Sequence, residues 1–307
     1  MKTSRSENRA VQPRNLIRFD WAMKRLLRNK ANYTVVEGFL SELLGEDVTI
    51  LNISDSESNQ DSVENKFNRV DILVENTKRE LFIIEMQNSS EADYLLRMLY
   101  GVSRVITNYM QLGDPYRNVR KVYSINIVYF EIGHGTDYIY HGSNGFYGLH
   151  HHDLLALTAR QQQYFEKATI QSLYPEYYIL KVNDFDDVAR DSLDEWIYYL
   201  KNNAIPDDFT AKGLSDAREI LRLEALTKEE YKAYVHHIDQ VLFERNALDT
   251  SRAEGKAEGL AEGEAIGLEK AVVNSRQKGF SVEQIQGITD LLPDQIREIL
   301  KRHGLDT

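Results

Sequence analysis

Two short stretches in the first third of the chain alternate side chains in the manner of β-strands. Residues 69–74 and 81–87 each place apolar side chains at every second position, and apolar residues occupy much of both faces. Such strands are typical of a sheet that is covered on both sides. The polar residues 75–80 between them predict the turn of an antiparallel hairpin. Each stretch also carries one carboxylate, Asp71 and Glu85, where an apolar side chain is expected.

Helical and strand-like patterns on both sides of this hairpin predict an α/β fold. The order is α-β-β-β-α-β, which indicates a mixed central sheet flanked by helices. The expected elements are helices at 16–29 and 33–44, a strand at 48–53, the hairpin, a helix at 93–112 and a strand at 122–130.

The second half of the chain is expected to turn helical from about residue 176. Thr227 begins a capping-box pattern, and glycine then recurs at every fourth position from Gly255 to Gly267. Each glycine inside a helix costs about 1 kcal/mol relative to alanine, so this segment is either a linker or a self-association helix. Two short helices with a helix-turn-helix-like spacing follow. They are expected to serve either as a packing module or as a DNA-binding element. We therefore expect three parts, at 1–175, 176–250 and 251–307.

Asp71 and Glu85 are the candidate chemical centre. If the hairpin places Asp71 opposite Glu85, both side chains point the same way, whereas a register shifted by one residue separates them. Two close carboxylates repel each other, and a buried charge is unfavourable unless it is paired or bound to a metal. A hard divalent cation with oxygen ligands, Mg²⁺ or Mn²⁺, removes both difficulties.

The residues around these carboxylates resemble the PD-(D/E)XK nuclease superfamily. The motifs Arg-Val-Asp-Ile-Leu-Val at 69–74 and Ile-Ile-Glu-Met-Gln at 83–87 are similar to those of its recombination-promoting nuclease and putative transposase family. The segments 19–24 and 94–113 and the Ala-Glu-Gly repeat near residue 255 fit the same resemblance. It implies the α-β-β-β-α-β nuclease core and a role in DNA recombination, transposition or mobile-element defence.

The resemblance also implies roles for individual residues. Asp71 and Glu85 take the metal-ligand positions, with Mg²⁺ or Mn²⁺ as cofactor and DNA as substrate. Gln87 stands where many of these nucleases have lysine, and it can orient a water or a phosphate but cannot act as a base. Asp20 stands where an acidic residue of the first helix completes the site. The proline of the superfamily's name is absent, since Val70 precedes Asp71.

Charge and composition modify this picture. The net charge of −11 weakens long-range attraction to DNA, but residues 1–30 hold nine Lys and Arg against two acids. Lys24, Arg97 and Arg104 are candidate contacts to the DNA backbone. Alternatively, these cations are an ordinary solvated surface, and Arg97 pairs with a core carboxylate. The chain has no cysteine, no membrane-spanning apolar run and a polar N-terminus, so we expect a cytoplasmic location.

Two other functions stay open from the sequence. Gln87 and the acidic net charge are compatible with a nuclease-derived module that binds DNA or protein without cutting. The five histidines between His134 and His152 could instead suggest zinc, although they lack a recognised spacing and adjacent histidines in a strand face opposite sides. The favoured hypothesis is a metal-dependent DNA endonuclease that uses Asp71, Glu85, Gln87 and Asp20, with a possible homo-oligomer through the C-terminal helices.

Overall fold

The computed structural model describes residues 16–27, 29–54 and 72–305. It divides into two compact units, residues 1–241 and 242–307. The strands are β1 (Ile50–Ser54), β2 (Ile72–Asn76), β3 (Leu81–Gln87), β4 (Val122–Val128), β5 (Ile139–Gly142) and β6 (Glu176–Lys181). The helices are α1 (Phe19–Arg25), α2 (Tyr33–Leu44), α3 (Tyr94–Asn108), α4 (Ala159–Phe165), α5 (Ser192–Asn202), α6 (Leu214–Ile220), α7 (Lys228–Gln277), α8 (Val282–Thr289) and α9 (Pro293–Arg302).

The strands of the described residues form one six-stranded sheet in the order β1-β2-β3-β4-β6-β5. β1, β2 and β3 are antiparallel neighbours, whereas β3, β4 and β6 run parallel and β5 is an antiparallel edge. Ile72 pairs with Ile84 and Val74 with Phe82, so the predicted β2–β3 hairpin is confirmed. The predicted α/β class and the order α-β-β-β-α-β are confirmed as well.

Both faces of the sheet are covered, as the apolar pattern predicts. Phe82, Ile84 and Met86 of β3 belong to the large core that also contains residues of α1, α2 and α5. Leu81 and Ile83 point to the other face, where Val102 and Val105 of α3 cover them. Glu85 and Gln87 continue this second alternation, and the pleat therefore directs them to the α3 side of the sheet.

The helix α3 buries only part of its apolar side. Tyr94, Met98, Val102 and Val105 are buried, but Leu95 and Leu99 are each more than half exposed. The exposed leucines line an open apolar groove of about 490 Å³ together with residues of the sheet. Helical periodicity identifies the apolar side of a helix but does not say how much of that side makes contact.

The structure corrects the expectation that the chain turns helical at residue 176. The segment Glu176–Lys181 is the strand β6, which pairs with β4 inside the sheet. The helices expected at 16–29 and 93–112 are also shorter, at Phe19–Arg25 and Tyr94–Asn108. The division into 1–175, 176–250 and 251–307 stays a prediction, while the boundary between the two compact units falls after residue 241 of the chain.

The second compact unit has its own small core. The two short helices predicted near the C-terminus are confirmed as α8, which Ser281 caps, and α9, which begins at Pro293. Ile285, Ile296 and Leu300 pack together and bury the apolar sides of these helices. None of the helices in the described part of the chain combines the length and the apolar character needed to cross a membrane.

Candidate active site

Glu85 lies near the carboxyl end of β3, within the sheet. It is 5 % exposed, and its neighbour across the parallel ladder is the buried Asn126 of β4. A carboxylate in this position requires a charged partner. Arg97 provides one, because it lies in the first turn of α3 and its Nη2 is 2.5 Å from Glu85 Oε1. The ion pair fixes the orientation of the carboxylate and neutralises part of its charge.

A second acidic residue extends this network towards Gln87. Glu91, which precedes α3, accepts a hydrogen bond from Arg97 Nη1 at 2.7 Å and another from Gln87 Nε2 at 2.9 Å. Gln87 Nε2 also lies 3.3 Å from the hydroxyl of Ser89. Glu85, Gln87 and Arg97 therefore belong to one connected polar cluster at the end of β3. Glu91 is a member of the cluster that the sequence pattern did not indicate, although an acid just before the helix that carries Arg97 is a usable signal.

Asp71 lies outside the described residues. The last described pair of the β2–β3 ladder is Ile72 with Ile84, the residues next in sequence to Asp71 and Glu85 respectively. The predicted convergence of Asp71 and Glu85 therefore stays a prediction. Within the described residues, no group of three or more His, Cys, Asp and Glu side chains could hold a metal ion.

Asp20 is a buried carboxylate of α1 with several donors around it. It accepts hydrogen bonds from the Trp21 N–H at 2.8 Å, from Arg18 Nη2 at 3.0 Å and from His237 Nε2 at 3.3 Å. Burial by itself raises the pKa of Asp20, but the hydrogen bond from His237 and the charge and hydrogen bond of Arg18 outweigh it. The pKa therefore lies well below its ordinary value, and the group is ionised.

Arg18 connects Asp20 to the edge of the sheet where β3 and β4 end. Its Nη2 donates to Asn88 Oδ1 at 2.8 Å, and Asn88 directly follows Gln87. Its guanidinium also lies over the ring of Tyr129, which directly follows β4, at 5.3 Å from the ring centre. Asp20 is thus placed near the same sheet edge as Glu85 and Gln87, through Arg18, Asn88 and Tyr129, which the sequence pattern did not indicate.

The candidate DNA contacts occupy different environments. Lys24 is exposed on α1, and Arg104 is half-buried on α3. Arg97 makes ion pairs with Glu85 and Glu91. Pairing with a buried carboxylate is the alternative role that the sequence offers for Arg97. Its side chain stays 22 % exposed, so a phosphate contact by Arg97 stays a prediction.

The histidines do not gather around one point in the described structure. His134, His150, His151 and His152 are exposed, and His141 Nε2 lies 2.8 Å from Glu176 Oε2 at the sheet edge. In contrast, the cluster at the end of β3 offers carboxylate and amide oxygens. Oxygen donors of this kind fit a hard divalent cation such as Mg²⁺ or Mn²⁺ better than zinc or another soft metal.

The architecture is that expected of a nuclease-like class of protein: a mixed sheet with a buried glutamate near the end of its third strand, and a first helix that carries a buried aspartate. The sequence model of the PD-(D/E)XK nuclease family transposases matches residues 17–251, and the chain belongs to that family. Neither a curated protein nor a solved structure matches the chain. The predicted family is therefore confirmed, and membership suggests a nuclease-like or transposase-like role.

Proposed function

We propose that this protein is a metal-dependent DNA endonuclease whose centre is the end of β3. The observation that carries the proposal is Glu85, a carboxylate that is 5 % exposed beside Gln87 in a family of nuclease-related transposases. A buried charge at a strand end is unfavourable for folding alone, and such groups concentrate at functional sites. The biological setting proposed is DNA mobility, through recombination or transposition.

Asp71 completes the proposed ligand pair. It is bonded to Ile72, and Ile72 pairs with Ile84, which directly precedes Glu85. We propose that the antiparallel register continues by one residue, so that Asp71 faces Glu85 across the ladder and both side chains point to the α3 side. These two residues would hold Mg²⁺ or Mn²⁺. When bound, the ion polarises the scissile phosphate and makes water a stronger nucleophile at neutral pH.

The other residues of the cluster orient the participants. Arg97 holds the carboxylate of Glu85 in one orientation and stabilises its charge before a cation arrives. The amide of Gln87 is itself held by Glu91, and we propose that Gln87 positions the attacking water or a phosphate oxygen. Gln87 carries no charge and accepts no proton at neutral pH, so it is not assigned the role of a base.

The metal requirement provides the primary test. Supercoiled plasmid incubated with the full chain is expected to be nicked in Mg²⁺ or Mn²⁺ and left intact in EDTA, because the ligand cluster lacks a base strong enough to activate water alone. Agarose-gel quantification of nicked and linear forms measures the effect. Equal nicking in EDTA and in Mg²⁺ contradicts the proposal.

A second candidate function is a DNA- or protein-binding module without catalysis. Gln87 in place of the usual lysine favours it, and so does the ion pair that engages Glu85 with Arg97. This alternative predicts DNA binding with the same affinity in EDTA and in Mg²⁺, and no nicking at any divalent metal concentration. The same plasmid samples, analysed by mobility shift and by nicking, separate the two functions.

We also propose self-association through the glycine repeat of α7. Residues 242–267 of this helix are exposed, and a Cβ added at Gly255, Gly259, Gly263 or Gly267 meets nothing within 4 Å in the single chain. Four glycines disfavour a lone helix by about 1 kcal/mol each relative to alanine. Close approach of a second helix would account for their presence.

Replacement of Gly259 by alanine is expected to weaken this association about tenfold, because overpacking a close contact costs roughly 1–3 kcal/mol. Sedimentation velocity over a concentration series measures the change, and circular dichroism checks that helix content does not fall. Gly287→Ala in α8 is the matched control, since this helical glycine also has open space around it. An unchanged association constant in Gly259→Ala excludes the glycine face as the interface.

A further inference from the structure

Arg18 is held in a fixed orientation at the sheet edge of the candidate site. Its Nε lies 3.2 Å from Asp20 Oδ1, and its Nη2 donates to Asp20 Oδ2 at 3.0 Å and to Asn88 Oδ1 at 2.8 Å. The Tyr129 ring lies 5.3 Å from the guanidinium carbon, and cation–π contacts of this kind also fix the plane of the group. Three elements of the fold, α1 and the ends of β3 and β4, therefore determine where this charge lies.

Part of the guanidinium is directed away from these partners. A guanidinium has five N–H donors, and the bonds to Asp20 and Asn88 use Nε and Nη2. Within the described residues, Nη1 makes no hydrogen bond, and the side chain is 19 % exposed. The two N–H groups of Nη1 can therefore meet an anion at this edge while the other donors keep their partners.

The environment of Asp20 favours a positioning role over metal ligation. Its two oxygens already accept from a backbone N–H, from Arg18 and from His237, and a cation would have to displace some of these donors. Because the carboxylate of Asp20 binds the guanidinium through Nε and Nη2, it fixes the direction of Nη1, which can then donate to a phosphate. His237 of α7 donates a hydrogen bond to the same carboxylate. Asp20 and His237 together therefore support Arg18.

Among the described residues of the polar cluster at the end of β3, no positive charge is left unpaired. Gln87 is neutral, and Arg97 is engaged with Glu85 and Glu91. Arg18 bonds to the residue immediately after Gln87 and is thus close to the end of β3. A phosphodiester bound at this edge requires a cation or several N–H donors to offset its charge.

We infer that Arg18 contacts a backbone phosphate of DNA bound at the carboxyl end of β3, and that Asp20 and His237 are positioning residues for its guanidinium. The inference rests on the proposed function, because it places DNA at the same site. It assigns Arg18 to substrate binding, a role that the sequence pattern did not suggest, and it gives Asp20, which the resemblance placed in the site, the role of supporting that arginine.

Duplex binding without metal tests the inference. The full chain and its Arg18→Gln variant are titrated into a fluorescein-labelled 30-base-pair duplex in EDTA, at several salt concentrations, with fluorescence anisotropy as the readout. Loss of one phosphate contact is expected to reduce the slope of log K against log[salt] by about 0.9 and to weaken binding by about tenfold or more at low salt. A purely structural ion pair does not change the salt slope of correctly folded protein.

Arg79→Gln is the matched control. Arg79 lies in the β2–β3 turn at the opposite edge of the sheet, and its side chain is 81 % exposed. Its replacement removes the same charge and is expected to leave both the slope and the affinity unchanged. An Arg18→Gln variant that is folded, binds like the parent and keeps the parent's slope overturns the inference, as does a parent chain that does not bind duplex DNA at low salt.

Two further variants keep the test decisive if Arg18→Gln does not fold. Arg18→Lys retains the charge but loses the fork, so its affinity is expected to fall several-fold while the slope stays. Asp20→Asn removes a negative charge, which by electrostatics alone would strengthen DNA binding. The inference predicts weaker binding instead, because Arg18 loses the carboxylate that orients it. Parent-like binding by Arg18→Lys, or tighter binding by Asp20→Asn, contradicts the inference.

The binding measurements do not depend on catalysis, because they are made in EDTA without a divalent metal ion. Arg18-dependent binding by a chain that never nicks plasmid contradicts the proposed endonuclease and supports the phosphate contact. Metal-dependent nicking by the parent, together with an Arg18→Gln variant of unchanged affinity and slope, supports the endonuclease and contradicts the contact.

Discussion

Replacement of Glu85 by glutamine is expected to reduce plasmid nicking by at least about 100-fold, and Asp71→Asn should do the same. Substitution of residues that merely support metal ligands typically lowers metal affinity or activity 10–100-fold, so loss of a proposed ligand itself should equal or exceed that effect. Glutamine preserves the shape of the side chain, and Arg97 keeps its ion pair with Glu91. Initial nicking rates over a Mg²⁺ series measure the loss, and a shift of the Mg²⁺ dependence to higher concentration identifies it as a binding defect.

Glu75→Gln provides the control for Glu85→Gln. Glu75 lies in β2 of the same sheet and also pairs with an arginine, Arg120 Nη2, at 2.8 Å. It is next to the turn at the other end of the hairpin, so its loss changes a comparable ion pair without touching the proposed centre. Nicking rates should therefore match the parent. If Glu85→Gln also nicks at the parental rate while remaining folded, Glu85 is not a ligand, and the catalytic part of the proposal fails.

The hairpin that carries Glu85 was predictable because its signal is local. Alternation with a period of two marks the two faces of β2 and β3, and the polar residues between them mark the turn. The strand β6 gave no comparable signal, since residues 177–180 of Glu176–Lys181 form a continuous run without polar alternation, and periodicity alone does not distinguish such a run from a buried helix. Its pairing with β4 decides the conformation, as is usual for strand propensity, which depends on cross-strand packing.

Much of the candidate site depends on contacts between distant parts of the chain. Arg18 and Asn88 are 70 residues apart, and Asp20 and His237 are 217 residues apart. Single hydrogen bonds of this kind leave no periodic pattern in a sequence, so neither partner could be chosen among the other polar residues. Asp20 shows the consequence: the resemblance places an acid of the first helix in the site, but only the structure shows that its neighbours in space are a guanidinium, an imidazole and a backbone N–H.

The Asp20→Asn substitution is expected to lower the free energy of unfolding by roughly 3 kcal/mol at pH 7, because it leaves the partly buried Arg18 without its counter-charge. The pKa of Asp20 is lowered in the folded state, so its stabilising contribution is present above the ordinary aspartate pKa near 4 and is lost as the pH falls towards the folded-state value. The difference between parent and variant should therefore be largest at neutral pH and should narrow below about pH 4. Urea unfolding at a series of pH values measures this, with Trp21 and Trp196, both buried in the first compact unit, as fluorescence probes.

Asp194→Asn is the matched control for the loss of stability at pH 7. Asp194 is as buried as Asp20, at 3 % exposed, but it accepts from the Tyr138 hydroxyl at 2.5 Å and from the Arg190 backbone N–H at 2.9 Å. Loss of hydrogen bonds to these neutral donors is expected to be smaller, about 1–2 kcal/mol. A parental free energy of unfolding for Asp20→Asn at pH 7, or a difference from the parent that widens as the pH falls, would show that Arg18 does not stabilise the ionised form. In that case the support proposed for the phosphate-contacting arginine is lost, since an orienting carboxylate has to be charged and paired under the conditions in which DNA binds.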